Sequence, residues 1–382
     1  MLTGIDRVER AYLAHLLEDP VPLFALIRTR AGYLLLDRAG AQAFLDRLDR
    51  DDWPARPDLL SRLAPRDMPE QGRAETGVRR LARDRAAPWR LRHMLARHLP
   101  PGILYLNVGH SNLTSRVLTA LKDTLGARVS VMIHDTIPLD LPDTQRPGKV
   151  RDFRAALSRV ADRADRIICT SHAVEARLAA HLSPHGWRPV TVVAPLGITP
   201  PRPAPEDLPP HLPPRRPYFV TLGTIEPRKN HALLLDLWQD LGPEAPALVI
   251  AGSRGWQNDA VFSRLDSLPP DGPVIEAPNL GDGAVAALLT GAEALLFPSR
   301  AEGFGLPALE SAALGTPVIC SDLPVFRELL GDWPIYASPT DRYEWKKIVA
   351  DKAIIKQRRI RAGTVTPPTW DTHFRVVLGA AS

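Results

Sequence analysis

Residues 302–310 read EGFGLPALE and follow the apolar run ALLFPS at 294–299. A strand that leads through a glycine-rich turn into a helix forms a phosphate site, because the glycines let backbone N–H groups approach the ligand and the helix end adds unpaired donors. Pro307 suits the first helical position, which needs no N–H group. Phosphate would repel Glu302 and Glu310, which are better suited to hydroxyl groups on either side of it. A sugar nucleotide offers glycosyl hydroxyls at one end and ribose hydroxyls at the other, so the stretch predicts a sugar-nucleotide enzyme.

Four further segments occur in an order that carries a family resemblance. They are TGIDRVE at 3–9, HDTIP at 134–138, TSH at 170–172 and GTIEPRKN at 223–230. With the two glutamates of 302–310, which are separated by seven residues, they make the chain resemble the retaining glycosyltransferases of family 4 (group 1). The resemblance implies an α/β chain of the GT-B fold, in which two doubly wound Rossmann-like domains face a cleft.

The resemblance also implies an activity. Such an enzyme moves a hexose from a nucleotide-diphosphate donor to a glycan or lipid-linked acceptor without a metal ion or other cofactor. The acceptor attacks on the face that the diphosphate leaves, so no protein nucleophile is needed. We therefore predict a glycosyltransferase of cell-surface polysaccharide synthesis. Three alternatives stay open: a sugar-nucleotide epimerase, a sugar phosphorylase on the same architecture, and an inactive interaction protein.

The bulk composition fits a two-domain cytoplasmic protein. A chain of 382 residues is too long for one ordinary core. Residues 1–7 have no apolar signal core, and no apolar run approaches the roughly 20 residues that a membrane span needs. The net charge of +5 favours nucleotide phosphates or peripheral contact with the anionic inner face of a membrane. The aromatic-plus-basic modules of nucleic-acid binders are missing from the sequence, so we expect no nucleic-acid partner.

Short apolar runs alternate with helical patterns along the chain, which indicates parallel α/β architecture. The predicted strands are Leu23–Thr29, Ile103–Val108, Val129–His134, Arg166–Thr170, Val190–Ala194, Tyr218–Leu222, Ala247–Ala251, Val274–Glu276, Ala294–Phe297, Pro317–Cys320 and Pro334–Tyr336. Residues 199–217 contain nine prolines and predict a stiff, extended linker. The expected parts are an acceptor-side domain at 1–199, the linker at 200–217, a nucleotide-sugar-binding domain at 218–344, and a helical segment at 345–382 that packs back on the body.

Three segments depart from this regular pattern. Residues 51–101 are rich in Arg, Pro and Asp and predict an insertion or acceptor-side region, with one helix around 89–98. Residues 345–361 carry apolar positions at helical spacing with basic residues between them; we expect a surface helix packed on the body, with a membrane-facing basic helix as the alternative. Relatives place a strand ahead of the 3–9 segment. We therefore expect that the start of this sequence lies too far downstream, unless the N-terminal sheet lacks that strand.

Lys229 is the next candidate for chemistry after the two glutamates. It follows the predicted strand Tyr218–Leu222 and precedes Asn230, which we expect to cap the helix His231–Leu241. An ammonium group at this place can neutralise the diphosphate that leaves when the glycosidic bond breaks, and the helix end reinforces it. Lys229 is therefore predicted to take part both in catalysis and in donor binding.

The resemblance assigns roles to the remaining donor-site residues. Glu310 would bind the ribose, and Glu302 would bind the donor sugar and act in catalysis. Relatives carry an arginine where this chain has Thr224, so Arg228 or Arg254 is expected to take over its contact with the donor phosphates. The backbone that would line the phosphates belongs to Gly303, Phe304, Gly305 and Leu306.

Candidates also lie in the N-terminal half. His134 ends a predicted strand that should open on the cleft, and the family carries a histidine in this neighbourhood near the donor sugar, so we expect a catalytic role. Gly4 would let the first loop approach the acceptor or the diphosphate, and His110 would line the acceptor side. Ser171 and His172 are further candidates.

Two motifs and the cysteines are given structural interpretations. The run GDGAVA at 281–286 matches a dinucleotide fingerprint but has no βαβ start around it. The run DRD at 49–51 resembles a metal-binding D-x-D motif but ends a charge-dense helix. Cys169 and Cys320 lie in apolar runs and are expected to be buried free thiols. We therefore predict no metal site.

Overall fold

The chain forms two compact units. The computed structural model describes residues 3–63, 69–187, 189–351, 355 and 365–379. The first unit comprises Leu2–Met132 and Ala156–Ile167, and the second comprises Ile133–Ala155 and Ile168–Ser382. The domain bounds expected at 199, 217 and 344 stay predictions.

The first helix, α1, is Gly4–Glu18, and a capping box starts it. The N–H of Asp6 donates to the Thr3 hydroxyl at 3.3 Å, and the N–H of Thr3 donates to the Asp6 carboxylate at 2.8 Å. Gly4 is therefore the first residue of a capped helix. The 3–9 segment, expected to form a loop, is helical because Thr3 and Asp6 satisfy donors that a helix start leaves unpaired.

An antiparallel sheet follows, with strands β1 (Ala25–Thr29), β2 (Gly32–Leu36) and β3 (Asp84–Ala86) in that order. Four helices accompany it: α2 (Arg38–Arg50), α3 (Leu59–Leu63), α4 (Pro69–Leu81) and α5 (Leu91–His98). Leu34, Leu36 and Val78 form its core with Phe44 and Trp53 packed against them. The predicted strand at 23–29 is present, but it belongs to a hairpin, and the prediction of a parallel neighbour was wrong. Strands β2 and β3 and helix α4 were not predicted. Strand β2 is a short, continuously apolar run, and without alternation its pattern does not identify it as a strand.

A four-stranded sheet has the order β4 (Leu104–Asn107), β5 (Arg128–Ile133), β6 (Arg166–Cys169) and β7 (Thr191–Val193), and β4 pairs with β5 in parallel. The helices in this part of the chain are α6 (Ser115–Thr119, continued by a π-helical turn at Ala120–Thr124), α7 (Ile137–Asp140), α8 (Lys149–Arg163) and α9 (His172–Leu182). The four strands confirm the ones predicted at 103–108, 129–134, 166–170 and 190–194. Cys169, at the end of β6, is buried and free, as is Cys320.

The second unit contains a six-stranded sheet in which every adjacent pair of strands is parallel. Its order is β10-β9-β8-β11-β12-β13, with β8 Tyr218–Leu222, β9 Ala247–Ala251, β10 Val274–Glu276, β11 Leu295–Phe297, β12 Val318–Ser321 and β13 Ile335–Ala337. Helices α10 (His231–Leu241), α11 (Asp259–Asp266), α12 (Asp282–Gly291), α13 (Leu306–Ala313) and α14 (Pro324–Leu330) connect them. The chain winds outward in one direction from β8 and in the other from β11. Ligands of doubly wound sheets bind at such a switch point, beyond the carboxyl ends of the strands.

The C-terminal helices pack within the second unit. In α15 (Arg342–Ala350), Trp345 and Val349 are buried in the same core as Trp238 of α10. The described part of the predicted 345–361 helix therefore hides its apolar side chains, which contradicts the membrane-facing alternative for that part. Ala353 and Ile360, which the spacing also placed on the helix, lie outside the described residues.

The last helix, α16 (Trp370–Gly379), lies against residues 194–198. The Nδ1 atom of His373 is 3.1 Å from the Ala194 carbonyl oxygen and 3.0 Å from that of Pro195. The proline-rich 199–217 segment is also anchored, because the N–H of Ala204 donates to the Gly283 carbonyl at 2.9 Å. Among the described residues, no helix combines the length and apolar character needed to cross a bilayer.

Candidate functional site

Two loops meet at the switch point, one following β8 and the other following β11. The N–H of Arg300 donates to the Arg228 carbonyl at 2.9 Å, which joins the loops directly. The side chain of Asn230 donates to the carbonyl oxygens of Pro298 at 3.3 Å and Pro339 at 2.9 Å. Asn230 occupies the N-cap position of α10 with φ 59°, but its side chain makes no capping hydrogen bond. The predicted capping role was wrong, since the amide instead joins three loops at the sheet edge.

A buried charge cluster lies where these loops touch. The Lys229 ammonium donates to Glu302 Oε1 at 2.7 Å, and Arg228 Nη1 lies 2.8 Å from the same oxygen. Arg228 also donates to the Ala301 carbonyl at 2.8 Å and to Glu226 Oε1 at 2.6 Å. Glu226, Lys229 and Glu302 are each no more than 9% exposed. The structure thus brings the predicted residues Lys229, Arg228 and Glu302 together, and Glu226 joins them.

Burial and charge set the protonation states in this cluster. Burial would raise the pKa of Glu302, but Arg228 and Lys229 outweigh it and lower that pKa to about 2. Burial lowers the pKa of Lys229, and Glu302 opposes this shift. For Arg228, burial would lower the pKa, but Glu302 and Glu226 raise it. Glu302 is therefore a carboxylate at neutral pH, held by two cations in a buried site.

The Lys229 side chain is enclosed by its neighbours. Its ammonium lies 4.4 Å from the centroid of the Phe297 ring, at the end of β11. Gly223 has φ +120°, and a Cβ there would come within 3.2 Å of Lys229 Cε. The next residue along, His231, is buried beside this charge, and burial together with Lys229 lowers the pKa of its imidazole to about 3. The neutral imidazole adds no cation to the site, so the positive charge comes from Lys229 and Arg228.

The glycine-rich turn fits closely against the His134 loop. A Cβ at Gly303 would overlap the His134 carbonyl oxygen and approach Asp135 Cβ to 2.8 Å. The Thr170 hydroxyl lies 3.4 Å from the carbonyl oxygens of both His134 and Gly303. Burial raises the pKa of Asp135, although Arg228 opposes the shift. His134, predicted as a catalytic residue, thus lies beside the turn that carries Glu302.

Helix α13 begins directly after this turn. Gly305 has φ +87°, and a Cβ there would overlap the Phe326 ring, so the backbone and the packing both require glycine. Leu306 is the first helical residue, Pro307 lies in the first turn, and Phe304 is buried. The first N–H groups of a helix have no intrahelical acceptor, which makes this start suitable for an anion. Glu310 lies farther along α13 and is 8% exposed.

The cluster does not include every predicted residue. Arg254 forms a two-pronged ion pair with Glu276, at 2.9 and 2.8 Å, and lies 2.7 Å from Asp266. Its guanidinium is thereby committed to acidic partners on β10 and α11, so of the two alternatives it is Arg228 that reaches Glu302. Gly4 and His110 belong to the first unit, at the start of α1 and after β4 with φ 59°.

The remaining candidates have structural roles. Ser171 caps α9 by accepting the N–H of Val174 at 3.1 Å, and the N–H of His172 donates to Glu328 at 2.8 Å. Gly283, in the 281–286 run, packs on Ala204 within α12. In the 49–51 run, Asp49 accepts from Arg10 at 2.9 Å. Within the described ranges, no group of three or more His, Cys, Asp and Glu side chains is arranged to hold a metal ion.

Sequence reasoning missed Glu226 and Phe297 as parts of the site. Glu226 lies inside the 223–230 motif, and its position two residues before Arg228 was a signal for an ion pair. Phe297 is the last residue of β11, and its position at a carboxyl end of the sheet was the available signal.

Replacing Gly303 with alanine is expected to lower the melting temperature and activity together. The added methyl group would overlap the His134 carbonyl, and such overpacking costs about 1–3 kcal/mol. Gly281→Ala is the matched control, because a Cβ at Gly281 meets no atom within 4 Å. Differential scanning fluorimetry and a turnover assay measure the effect. Equal melting temperatures for the two variants would show that the turn is not packed as described.

Comparison with known proteins gives a consistent result across both halves of the chain. Residues 54–200 match the family model described as Glycosyltransferase Family 4, and residues 206–351 match the model described as Glycosyl transferases group 1. The chain is 33% identical over 229 residues to the serotype-specific mannosyltransferase WbdA of Escherichia coli, an alignment that covers 56% of this chain and 28% of that protein. It is 35% identical over 127 residues to the O-antigen chain mannosyltransferase B of Escherichia coli, covering 32% of this chain and 33% of that one. The chain therefore spans only about a third of the length of these relatives or less.

Solved structures support the fold. The structure of HepE from Anabaena in complex with UDP-glucose superposes with a TM-score of 0.60 at 16% identity, covering 77% of this chain and 81% of that chain. At this identity the likeness shows the fold alone, and it agrees with the GT-B class predicted above. The two family models, which between them match residues 54–200 and 206–351, show that this chain belongs to the group 1 glycosyltransferases of family 4.

Proposed function

We propose that this protein is a retaining glycosyltransferase that moves a sugar from a nucleotide-diphosphate donor to a glycan or lipid-linked acceptor. The observation that supports this most is the buried contact between Lys229 and Glu302 at the switch point, beside the start of α13. A cation and a helix start suit a diphosphate, and a carboxylate next to them suits the hydroxyls of the attached sugar. One site can therefore hold both parts of the donor.

The contacts of Glu302 favour a division of labour between the two cations. Lys229 and Arg228 both approach Oε1. In our proposal the Oε2 atom accepts a hydrogen bond from a donor hydroxyl. Arg228 is further fixed by Glu226 and by the Ala301 carbonyl. In our proposal Arg228 keeps Glu302 in place, while Lys229 turns its remaining N–H groups toward the diphosphate. Glu302 then stays oriented after Lys229 has engaged the leaving group.

The neighbouring residues complete the proposed site. The backbone of 303–306 and the start of α13 contact the phosphates, and Glu310 binds the ribose. His134 lies beside Gly303 and contributes from the donor-sugar side. Charge develops on the diphosphate oxygens as the glycosidic bond breaks. Lys229 and the helix start are already oriented to stabilise this charge.

The relatives guide the choice of substrate. Because their names are those of a serotype-specific and an O-antigen chain mannosyltransferase, we propose mannose as the first donor sugar to test, and a growing cell-surface polysaccharide as the acceptor. We also propose a cytoplasmic location with peripheral contact at the inner face of the membrane, where a lipid-linked acceptor would lie. The epimerase, phosphorylase and inactive-protein alternatives gain no support from the family models or these relatives.

A panel of nucleotide sugars tests the proposal. The full chain is mixed with mannose, glucose and galactose donors carrying guanine or uracil, and thermal shift and release of nucleoside diphosphate are measured. We expect one donor to raise the melting temperature and to be hydrolysed slowly without acceptor. The Glu302→Gln variant is the control for contaminating hydrolases. No thermal shift with any donor, and no release above that control, would refute the proposal.

Chelation is expected to leave turnover unchanged. Lys229 and the start of α13 supply the counter-charge for the diphosphate in our proposal, so no divalent cation is required. The rate of nucleoside diphosphate release is measured with EDTA and after adding manganese or magnesium back. Loss of turnover with EDTA, restored by manganese, would contradict this prediction.

A further inference from the structure

An arginine-rich segment of the first unit carries one strongly exposed tryptophan. Residues 79–98 contain seven arginines and one aspartate. Trp89, directly before α5, is 78% exposed, whereas most large apolar side chains of the chain are buried. We define the Trp89 surface as Arg85, Trp89, Arg90, Arg92 and Arg97. The proposed donor site uses none of these residues, and the surface combines one exposed indole ring with four exposed cations.

Packing of β3 and α5 turns the members of this surface outward. Ala86 of β3 points into the protein, so Arg85 next to it faces solvent. Helix α5 buries Leu91, Met94 and Leu95. Arg92 and Arg97 lie on the two flanks of this buried stripe, with side chains 57% and 75% exposed. A contact of 2.7 Å between His98 Nε2 and the Asp84 carboxylate ties the end of α5 to β3. Strand and helix therefore present their arginines from one connected support.

Little of this positive charge is neutralised within the protein. Asp84 and Asp123 reach Arg97 and Arg92 only at 4.0 Å, and Asp84 is mainly engaged by His98. Among the described residues, no carboxylate lies within ion-pair distance of Arg85 or Arg90. The guanidinium groups beside Trp89 are thus available to an external anion.

We propose that the Trp89 surface docks this protein on an anionic lipid bilayer. Tryptophan prefers the boundary between head groups and acyl chains, and arginine is attracted to anionic head groups. A single-stranded nucleic acid would need successive aromatic platforms for its bases, and Trp89 is the sole Phe, Tyr or Trp residue in 79–98. The burial of Trp345 and Val349 removes the described part of the C-terminal helix as a competing membrane surface. The inference rests on the proposed function in that a lipid-linked acceptor would lie in such a bilayer.

Vesicle sedimentation of the full chain tests this. Vesicles of neutral phosphatidylcholine are compared with vesicles that contain about 30% phosphatidylglycerol, and we expect binding to the anionic vesicles that weakens with salt. The triple variant Arg85→Gln, Arg90→Gln, Arg92→Gln is expected to bind on the order of a hundredfold more weakly, because each arginine near a surface contributes roughly a fivefold factor. Trp89→Ser alone should also weaken vesicle binding, although it leaves the net charge unchanged.

The matched control removes the same charge elsewhere. Arg154, Arg215 and Arg375 are exposed residues of the second unit, and changing all three to glutamine should leave vesicle binding nearly unchanged. Equal losses in the two triple variants, equal binding to neutral and anionic vesicles, or tighter binding to a single-stranded oligonucleotide than to vesicles would overturn the proposal.

Donor hydrolysis without acceptor separates this inference from the proposed function. The arginine variant should release nucleoside diphosphate at the wild-type rate, since the donor site lies in the second unit. Vesicle binding by a protein that turns over no nucleotide sugar would support the surface while refuting the enzyme. Turnover of a nucleotide sugar without vesicle binding would support the enzyme and refute the membrane-docking surface.

Discussion

The Lys229→Gln variant is expected to lose about two to three orders of magnitude in kcat, the effect of removing one oriented donor from a developing oxyanion. Lys229 is the cation that faces the proposed diphosphate, and its ammonium is fixed by Glu302 and the Phe297 ring. Steady-state release of nucleoside diphosphate measures the effect. The affinity for free nucleoside diphosphate should also fall, since that product keeps the charge that Lys229 contacts.

Lys347→Gln is the matched control for Lys229→Gln, because Lys347 is an exposed lysine on α15 and its loss changes the net charge equally. Retained secondary structure and melting temperature would show that the Lys229 variant is folded, since Arg228 still pairs with Glu302 and Glu226. A kcat for Lys229→Gln within about threefold of the control would contradict a role in leaving-group stabilisation.

The two glutamates around the glycine-rich turn should separate kinetically. Glu302→Gln is expected to lower kcat by about ten- to a hundredfold, because in our proposal its carboxylate contacts the sugar that becomes positively charged as the bond breaks. Glu310→Gln is expected mainly to raise KM for the donor by a similar factor, because the ribose does not react. Each variant serves as the other's control, as both remove one buried carboxylate from the same turn and helix.

Titration of both variants with free nucleoside diphosphate completes this test. Glu310→Gln should weaken the binding of free nucleoside diphosphate, whereas Glu302→Gln should leave the affinity for it nearly unchanged. Comparable weakening in the two variants would show that the assigned roles are wrong.

The sequence specified the sheet of the second unit more closely than the first unit. Strands Tyr218–Leu222 and Ala247–Ala251 have the predicted bounds, because strands buried on both faces are continuous apolar runs between turns. The partly buried edge strand Val274–Glu276 also has its predicted bounds. Strands β2 and β3 were missed because a short hairpin strand is identified by its partner as much as by its own residues. The order of the strands around the switch point also depended on tertiary pairing.

The sequence predicted several residues of the site but not the contacts between them. Lys229, Arg228 and Glu302 lie in motifs that could be recognised, yet the shared oxygen of Glu302 requires the two loops to meet. Arg254 stood as an equal alternative to Arg228 because its partner Glu276 lies on an adjacent strand, a proximity that chain order does not reveal. Asn230 has the residue type of a cap, but its left-handed backbone directs the amide to neighbouring loops.

The stereochemistry of transfer tests the central claim most directly. The donor identified by the panel is incubated with the protein in water containing methanol, and the methyl glycoside formed is examined by proton NMR, since this product does not change its configuration once formed. Lys229→Gln provides the blank for chemical breakdown of the donor. We expect a methyl glycoside with the anomeric configuration of the donor, because in our proposal the site stabilises the leaving group and the acceptor attacks on the face that the diphosphate leaves. A methyl glycoside of inverted configuration, or the same yield from wild type and blank, would contradict a retaining glycosyltransferase at this site.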